Sequence, residues 1–317
     1  MPSPDESVRA ASALARRLAE AVGKVLRGKQ EVVELALVTL FAGGHLLVED
    51  VPGVGKTTLA RTLAACLGLD YRRLQFTSDL MPSDVLGGNV FDRDSSTFVF
   101  RPGPVFTQLL LADEINRTTP RTQSALLEAM DERRVSIDGV THPLDESFFV
   151  IATQNPLDFH GTYPLPESQL DRFLVRTEMG YPPDEVEREV LARRRGRDPL
   201  AGVEPVVTTD ELLAARRATE HVRMEPVLLD YLHGIVLATR RSPLIEIGAS
   251  TRAALALEGA VRARALVEGR AHALPDDVKA LAAPVLAHRI RPAVSGDERS
   301  DALRAIRTVV DELSVPL

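Results

Sequence analysis

The spacing of apolar residues changes along the chain, and this change predicts two kinds of structure. Up to residue 183, short apolar runs alternate with segments of helical spacing. The short runs are typical of buried parallel strands, and the periodic segments are typical of amphipathic helices. Predicted strands lie at 46–48, 71–76, 109–112, 148–153 and 174–177. Predicted helices lie at 7–26, 30–41, 57–67 and 122–132, which together give an α/β fold with a parallel sheet and helices on both faces.

Two short segments depart from this alternation and predict β-hairpin insertions. Residues 89–91 and 98–100 flank a polar turn. Residues 135–137 and 140–142 flank Asp138-Gly139, a strong two-residue turn signal. Both hairpins are additions to the alternating pattern of strands and helices.

Strand signals fade after residue 183, and helical segments recur to the end of the chain. The predicted helices are 185–195, 210–219, 225–239, 252–268 and 275–286, with proline or glycine in the breaks between them. We therefore predict an α/β domain over 1–183 and an all-α domain over 184–317. Each has an ordinary domain size.

Residues 46–58 read LLVEDVPGVGKTT, an apolar strand followed by a glycine-rich turn and a helix start. Backbone N–H groups of such a turn can surround phosphate oxygens. The pattern predicts a phosphate-binding loop of Pro52, Gly53, Val54, Gly55, Lys56, Thr57 and Thr58. Lys56 would contact the β- and γ-phosphates of ATP, and the Thr57 hydroxyl would bind Mg²⁺. Asp50 stands where the usual pattern has glycine, so a turn that is glycine-rich for other reasons is the alternative.

A second candidate element is the apolar strand 109–112, which ends in Asp113 and Glu114. The carboxyl end of a central parallel strand is where ligands bind in an open α/β sheet. Asp113 could hold Mg²⁺ through water, and Glu114 could orient and deprotonate a water that attacks the γ-phosphate. The alternative is a strand that ends in a solvated acidic turn.

Composition narrows the class of protein. The 317 residues carry a formal net charge of -7, which argues against a constitutive nucleic-acid binder without excluding a basic pore built by several subunits. The basic run 193–197 is either a solvated helix end or a nucleic-acid contact. The single cysteine, Cys66, fits a reducing cytoplasm, and we expect neither a signal peptide nor a membrane span.

Six motifs in order give the chain a resemblance to the MoxR family of AAA+ ATPases over nearly its whole length. They are EDVPGVGKT (49–57), QFTSDLMPSDVLG (75–87), ADEINR (112–117), QSALLEAM (123–130), ATQNP (152–156) and LPESQLDRF (165–173). Asp50 is a common variant in that family. The chain has GASTR at 248–252, where the family often has GASPR, so the arginine is retained.

The resemblance implies roles for further residues. Asn155 resembles the first sensor, which holds the attacking water. Arg252 resembles the second sensor, reaching from a helical lid to the nucleotide. Arg172 resembles the arginine finger that projects into a neighbouring subunit, and Arg117 could also act across that interface. Gly28 resembles the turn beside the adenine base, with a plain helix stop as the alternative.

The resemblance also implies an assembly. Members form hexameric rings, bind ATP and Mg²⁺ between the α/β domain and the lid, and remodel or activate protein complexes, often with a partner carrying a von Willebrand factor A domain. Phe91, Phe98 and Phe100 of the first hairpin would then contact a protein client, or else pack against their own domain. Two rivals stay open: a nucleic-acid-stimulated motor related to helicases, and a nucleotide-gated scaffold that barely turns over.

Overall fold

The computed structural model describes residues 3–155, 161–193, 200–293 and 296–315. Its strands are β1 (Leu46–Glu49), β2 (Tyr71–Gln75), β3 (Gly87–Asp92), β4 (Thr97–Pro102), β5 (Leu109–Asp113), β6 (Arg134–Ile137), β7 (Val140–Pro143), β8 (Phe149–Gln154), β9 (Val175–Thr177), β10 (Ile245–Ile247) and β11 (Arg291–Pro292). Its helices are α1 (Pro4–Val25), α2 (Gln30–Phe41), α3 (Lys56–Leu67), α4 (Pro82–Leu86), α5 (Pro120–Glu132), α6 (Glu167–Leu170), α7 (Asp184–Arg193), α8 (Thr209–Thr219), α9 (Pro226–Thr239), α10 (Thr251–Val267), α11 (Pro275–Leu286) and α12 (Glu298–Glu312).

The centre of the molecule is a five-stranded parallel sheet in the order β2-β5-β8-β1-β9. Every residue of β1 and β5 is buried, and each strand is an apolar run that ends in one carboxylate, Glu49 or Asp113. The edge strand β2 is partly exposed and carries arginines. The predicted parallel sheet is confirmed, and the loops that follow β1, β5 and β8 meet at its carboxyl edge.

The two predicted hairpins are confirmed as β3–β4 and β6–β7. They are joined to each other, since the Phe100 ring stacks on His142 at a centroid distance of 3.9 Å. The Asn89 side-chain amide also donates to Asp138 Oδ2 at 2.6 Å. Phe91 and Phe98 are 51% and 71% exposed. Phe100 therefore packs within the hairpin pair, whereas the other two rings face solvent.

The chain from α7 onward is mainly helical, as predicted, but three of its elements were not anticipated. The helix α12 follows the last predicted helix, and β10 pairs with β11 in a small antiparallel sheet. The predicted helix 185–195 is described as α7 up to Arg193. Residues 194–199, which hold most of the basic run, lie outside the described residues.

One apolar core joins the helical region to the sheet. The helix α1 begins with a capping box between Ser3 and Glu6, and it packs against α3, α8 and α10. The same buried cluster includes residues of α2, β1 and the helices from α8 to α12. The core is therefore continuous across residue 183, and the division into 1–183 and 184–317 stays a prediction. No helix among the described residues could cross a membrane.

Candidate functional site

The predicted phosphate loop lies between β1 and α3, with a backbone that only glycine adopts readily. Gly53 and Gly55 have φ values of 89° and 108°, and a Cβ at Gly53 would meet open space. The first N–H groups of α3 have no acceptor within the helix. The loop therefore offers donors and room to an anion, as the sequence predicts.

Asp50 anchors this loop to the segment after β9. Its Oδ2 accepts hydrogen bonds from the backbone N–H groups of Met179 at 2.9 Å and Gly180 at 2.6 Å. Its carbonyl oxygen accepts one from Lys56 Nζ at 2.5 Å. An aspartate where the usual pattern has glycine thus has a structural use, because it ties the start of the loop to the end of the sheet.

The same segment is held from its other side by Lys29, a residue that the motifs did not single out. Lys29 is 7% exposed, and its Nζ donates to the carbonyl oxygens of Met179 at 2.8 Å and Gly180 at 2.5 Å. Burial lowers the pKa of Lys29, and the charge of Asp50 opposes that shift. The turn before Lys29 is close-packed, since a Cβ at Gly28 would lie 2.8 Å from Pro183 Cδ.

The acidic pair lies at the carboxyl end of β5, and both of its members are held by neighbouring strands. Asp113 Oδ1 accepts from the Thr153 hydroxyl at 2.5 Å, and Oδ2 accepts from Arg73 Nε and Nη2 at 3.0 and 2.7 Å. Glu114 has a left-handed backbone with φ 57°. Its Oε2 accepts from Gln75 Nε2 at 2.7 Å and from Arg117 Nη1 at 3.0 Å.

The charges around Lys56 link the phosphate loop to the acidic pair. Burial lowers the pKa of Lys56, and the carboxylates of Asp50, Asp113, Glu114 and Glu49 act in the opposite direction. These charges act on the Lys56 ammonium only because they lie near it. The donor chemistry also fits Mg²⁺, a hard cation that prefers carboxylate, hydroxyl and phosphate oxygens, because Asp113 and Thr57 supply oxygens here.

Asn155 directly follows β8, the strand beside the acidic one. It is 6% exposed, and its carbonyl oxygen accepts a hydrogen bond from Asn116 Nδ2 at 3.3 Å. Asn155 therefore lies at the same sheet edge as the phosphate loop and the acidic pair. Arg117 is also at this edge, where its contact with Glu114 is made within its own chain.

Arg172 and Arg252 lie at the opposite edge of the sheet and share one carboxylate. Arg172 Nη1 contacts Asp131 Oδ2 at 2.7 Å, and Arg252 Nη2 contacts Asp131 Oδ1 at 2.5 Å. Asp131 is near the end of α5, which runs back from the carboxyl end of β5. Arg133, two residues after Asp131, donates to the carbonyl oxygen of Gly43, just before β1 begins.

This placement puts Arg252 far from the phosphate loop of the same chain. A strand of five residues is about 16 Å long, and Arg252 is held at its amino end. The sequence carried no sign of this, because the position of Arg252 depends on how α10 packs against the other helices. The roles of Arg172 and Arg252 stay predictions.

A further arginine, Arg289, joins the helical region to the segment that carries Arg172. Its side chain is 4% exposed. It contacts Asp171 Oδ1 at 2.6 Å and donates to the carbonyl oxygens of Asp171, Phe173 and Leu174 at 3.1, 2.7 and 3.1 Å. Asp171 also pairs with Arg252 at 3.4 Å. No motif marked Arg289, because its partners lie more than a hundred residues away.

Comparisons with known proteins agree with this geometry. The sequence matches the ATPase family associated with various cellular activities (AAA) over residues 45–175 and the AAA lid domain over residues 237–307. Fold and site together define an AAA+ ATPase with a C-terminal helical lid.

Two relatives and one solved structure assign the chain to one family within this class. The chain is 42% identical to the uncharacterized protein YeaC of Bacillus subtilis, over 94% of this chain and 93% of that protein. It is 41% identical to the chaperone MoxR1 of Mycobacterium tuberculosis, over 85% of this chain and 73% of that protein. A crystal structure from Cytophaga hutchinsonii, described as a candidate ATPase, has 35% identity, covers 98% of both chains and gives a TM-score of 0.89. The chain belongs to the MoxR family.

Proposed function

We propose that this protein hydrolyses ATP with Mg²⁺ as one subunit of a hexameric ring, and that turnover drives the remodelling of protein complexes in the cytoplasm. The observation that carries the proposal is the division of the site. The phosphate loop, the acidic pair and Asn155 lie at the carboxyl edge of the sheet, and Arg172 and Arg252 lie at the amino edge. A complete site therefore needs two subunits.

Within one subunit, the residues divide the work by their chemistry. The loop from Pro52 to Thr58 would hold the phosphates, with Lys56 on the β- and γ-phosphates. Thr57 and, through water, Asp113 would hold Mg²⁺, which when bound offsets charge on the transferred phosphoryl group. Glu114 would take the proton of the attacking water, and the Asn155 amide would orient that water.

Across the interface, the two arginines would act together. Arg172 and Arg252 both pair with Asp131, so a movement of either arginine leaves more of the Asp131 charge to the other. Their ion pairs with Asp131 are partly exposed and hence weak. Exchanging Asp131 for the phosphate oxygens of a nucleotide in the neighbouring subunit would therefore cost little free energy. Arg117 contacts the base Glu114 of its own chain, and this contact favours Arg172 as the dominant trans-acting arginine.

The proposed work on protein complexes is supported by the relatives and by the first hairpin. One relative is named a chaperone, and the exposed rings of Phe91 and Phe98 are suited to an apolar client surface. A partner with a von Willebrand factor A domain is expected from the family. ATPase activity that rises with protein clients, and not with DNA or RNA, would separate this function from that of a nucleic-acid motor.

The divided site is tested by mixing two inactive variants. Arg172→Ala should bind ATP as the wild type does but lose about 10³- to 10⁵-fold in turnover, the effect of an arginine finger. Lys56→Ala should lack tight ATP binding. Mixed rings contain interfaces that join an intact loop to an intact Arg172, so some turnover should return at intermediate mixing ratios.

The controls identify which arginine acts. Arg134→Ala, which removes an exposed arginine paired with Glu132, should turn over as the wild type does. Assembly is followed by light scattering. If mixed rings form and no ratio restores turnover, while Arg117→Ala mixtures do restore it, Arg117 is the trans-acting arginine and the proposal for Arg172 is wrong.

A further inference from the structure

Both oxygens of the Asp113 carboxylate are already in use. The Thr153 hydroxyl occupies Oδ1, and the Arg73 guanidinium occupies Oδ2 through two nitrogens. A carboxylate has about four lone-pair sites, and these three contacts fill both sites on Oδ2 and leave one on Oδ1. Oδ2 can therefore serve Mg²⁺ or its bound water only when Arg73 leaves it.

Arg73 is the partner that can move. Thr153 is fully buried within β8, and its hydroxyl also accepts a hydrogen bond from the N–H of Glu114 at 2.9 Å. The Arg73 side chain is 50% exposed on the edge strand β2. A second acceptor is at hand, because Arg73 Nη2 also donates to Gln75 Oε1 at 3.0 Å.

The same strand also holds the other member of the acidic pair. Gln75 lies two residues after Arg73, so both side chains leave β2 on the same face. Its amide accepts from Arg73 through Oε1 and donates to Glu114 through Nε2. A displacement of Arg73 from Asp113 is thereby transmitted to the partner of the proposed base.

We propose that Arg73 is a positioning residue that pairs with the carboxylate of Asp113 and competes with Mg²⁺ for it. This inference rests on the proposed ATP and Mg²⁺ site. Arg73 is an internal cation that compensates the charge of Asp113 when no metal does. A metal that uses Oδ2 displaces Arg73, which lowers the apparent affinity of the site for the metal.

The test uses Mn²⁺ as a probe of metal binding, independent of turnover. The full chain is mixed with a non-hydrolysable ATP analogue and titrated with Mn²⁺, and free Mn²⁺ is measured by electron paramagnetic resonance. Arg73→Gln should lower the dissociation constant for Mn²⁺ by about two- to tenfold, the range for a partly exposed charge-assisted pair. Arg73→Lys keeps the positive charge but loses the two-nitrogen contact of the guanidinium, and it should give a smaller decrease in the dissociation constant.

Arg72→Gln is the matched control for the loss of one positive charge. Arg72 is the adjacent residue, and its side chain points to the other face of β2, toward Asp70 and the carbonyl of Gly103. The Arg72→Gln variant should bind Mn²⁺ with the affinity of the wild type. Circular dichroism and thermal melting check that each variant folds as the wild type does.

The possible outcomes separate this inference from the function on which it rests. If Arg73→Gln binds Mn²⁺ no more tightly than Arg72→Gln, or more weakly than the wild type, Arg73 does not compete with the metal. If the wild type shows no binding of Mn²⁺ that depends on the nucleotide analogue, the proposed ATP and Mg²⁺ site itself is wrong.

Discussion

His45 makes the stability of the sheet sensitive to acid. It precedes β1 and is 5% exposed. Its Nδ1 accepts a hydrogen bond from the N–H of Val150 at 3.0 Å, and its Nε2 lies 3.2 Å from the carbonyl of Met130. The ring therefore fits its site when neutral, with the proton on Nε2. Burial is the largest cause that lowers its pKa from 6.5 to about 3.

The size and sign of the effect follow from the two pKa values. Above pH 6.5, His45 is neutral in both the folded and the unfolded chain and contributes no pH dependence. Below pH 6.5, the unfolded chain binds a proton that the folded chain does not bind until about pH 3, so stability falls as the pH falls. At pH 5 the loss is about 2 kcal/mol relative to pH 7.

The assay is urea unfolding at pH 7 and pH 5, followed by circular dichroism because the chain has no tryptophan. With a denaturant slope of about 3 kcal/mol/M, a loss of about 2 kcal/mol lowers the midpoint by about 0.7 M. His288 is also buried with a lowered pKa and adds to the wild-type pH dependence. The His45→Gln variant therefore isolates the contribution of one histidine. It should reduce the difference in the free energy of unfolding between pH 7 and pH 5 by about 2 kcal/mol.

The exposed His233 supplies the control, since His233→Gln also removes one imidazole. It should leave the pH dependence of unfolding as it is in the wild type. His45→Gln also loses hydrogen bonds, so its stability at pH 7 is not the relevant quantity. Equal pH dependence in His45→Gln and the wild type would refute the reasoning.

Two further predictions concern the nucleotide site. Lys56→Ala should weaken ATP binding about 10- to 100-fold because it removes a charge-assisted contact with the phosphates, as measured by calorimetry with the exposed Lys279→Ala as control; unchanged affinity would remove the phosphate-loop assignment. Glu114→Gln should retain bound ATP and lose about 10²- to 10⁴-fold in turnover because an amide cannot take the proton of water. Bound nucleotide analysed by chromatography checks this result, and a near wild-type rate would place the base elsewhere.

The sequence predicted the elements whose signal is local. Strand β5 is an apolar run that ends in Asp113, and the phosphate loop is a contiguous motif between a strand and a helix. By contrast, β10 and β11 have three and two residues, too few for an alternating pattern. The helix α12 begins with polar residues, and its buried face includes the small side chains of Ala302 and Ala305.

The parts of the site that the sequence did not predict are contacts between distant segments. Asp50 and Met179 are 129 residues apart, and Arg73 and Asp113 are 40 apart. Such pairs depend on strand order and register, since β2 lies beside β5 with Gln75 opposite Asp113. The position of Arg252 depends on helix docking, for which the spacing of its neighbours gives no signal.

The buried contacts of Arg289 have a mechanical consequence. This side chain belongs to the lid but is hydrogen-bonded to the backbone of residues 171–174 at several points, so a movement of the lid is transmitted to that segment. Arg172 lies within the segment. If Arg172 acts in trans as proposed, a rotation of the lid in one subunit would work as a lever on the active site of the next.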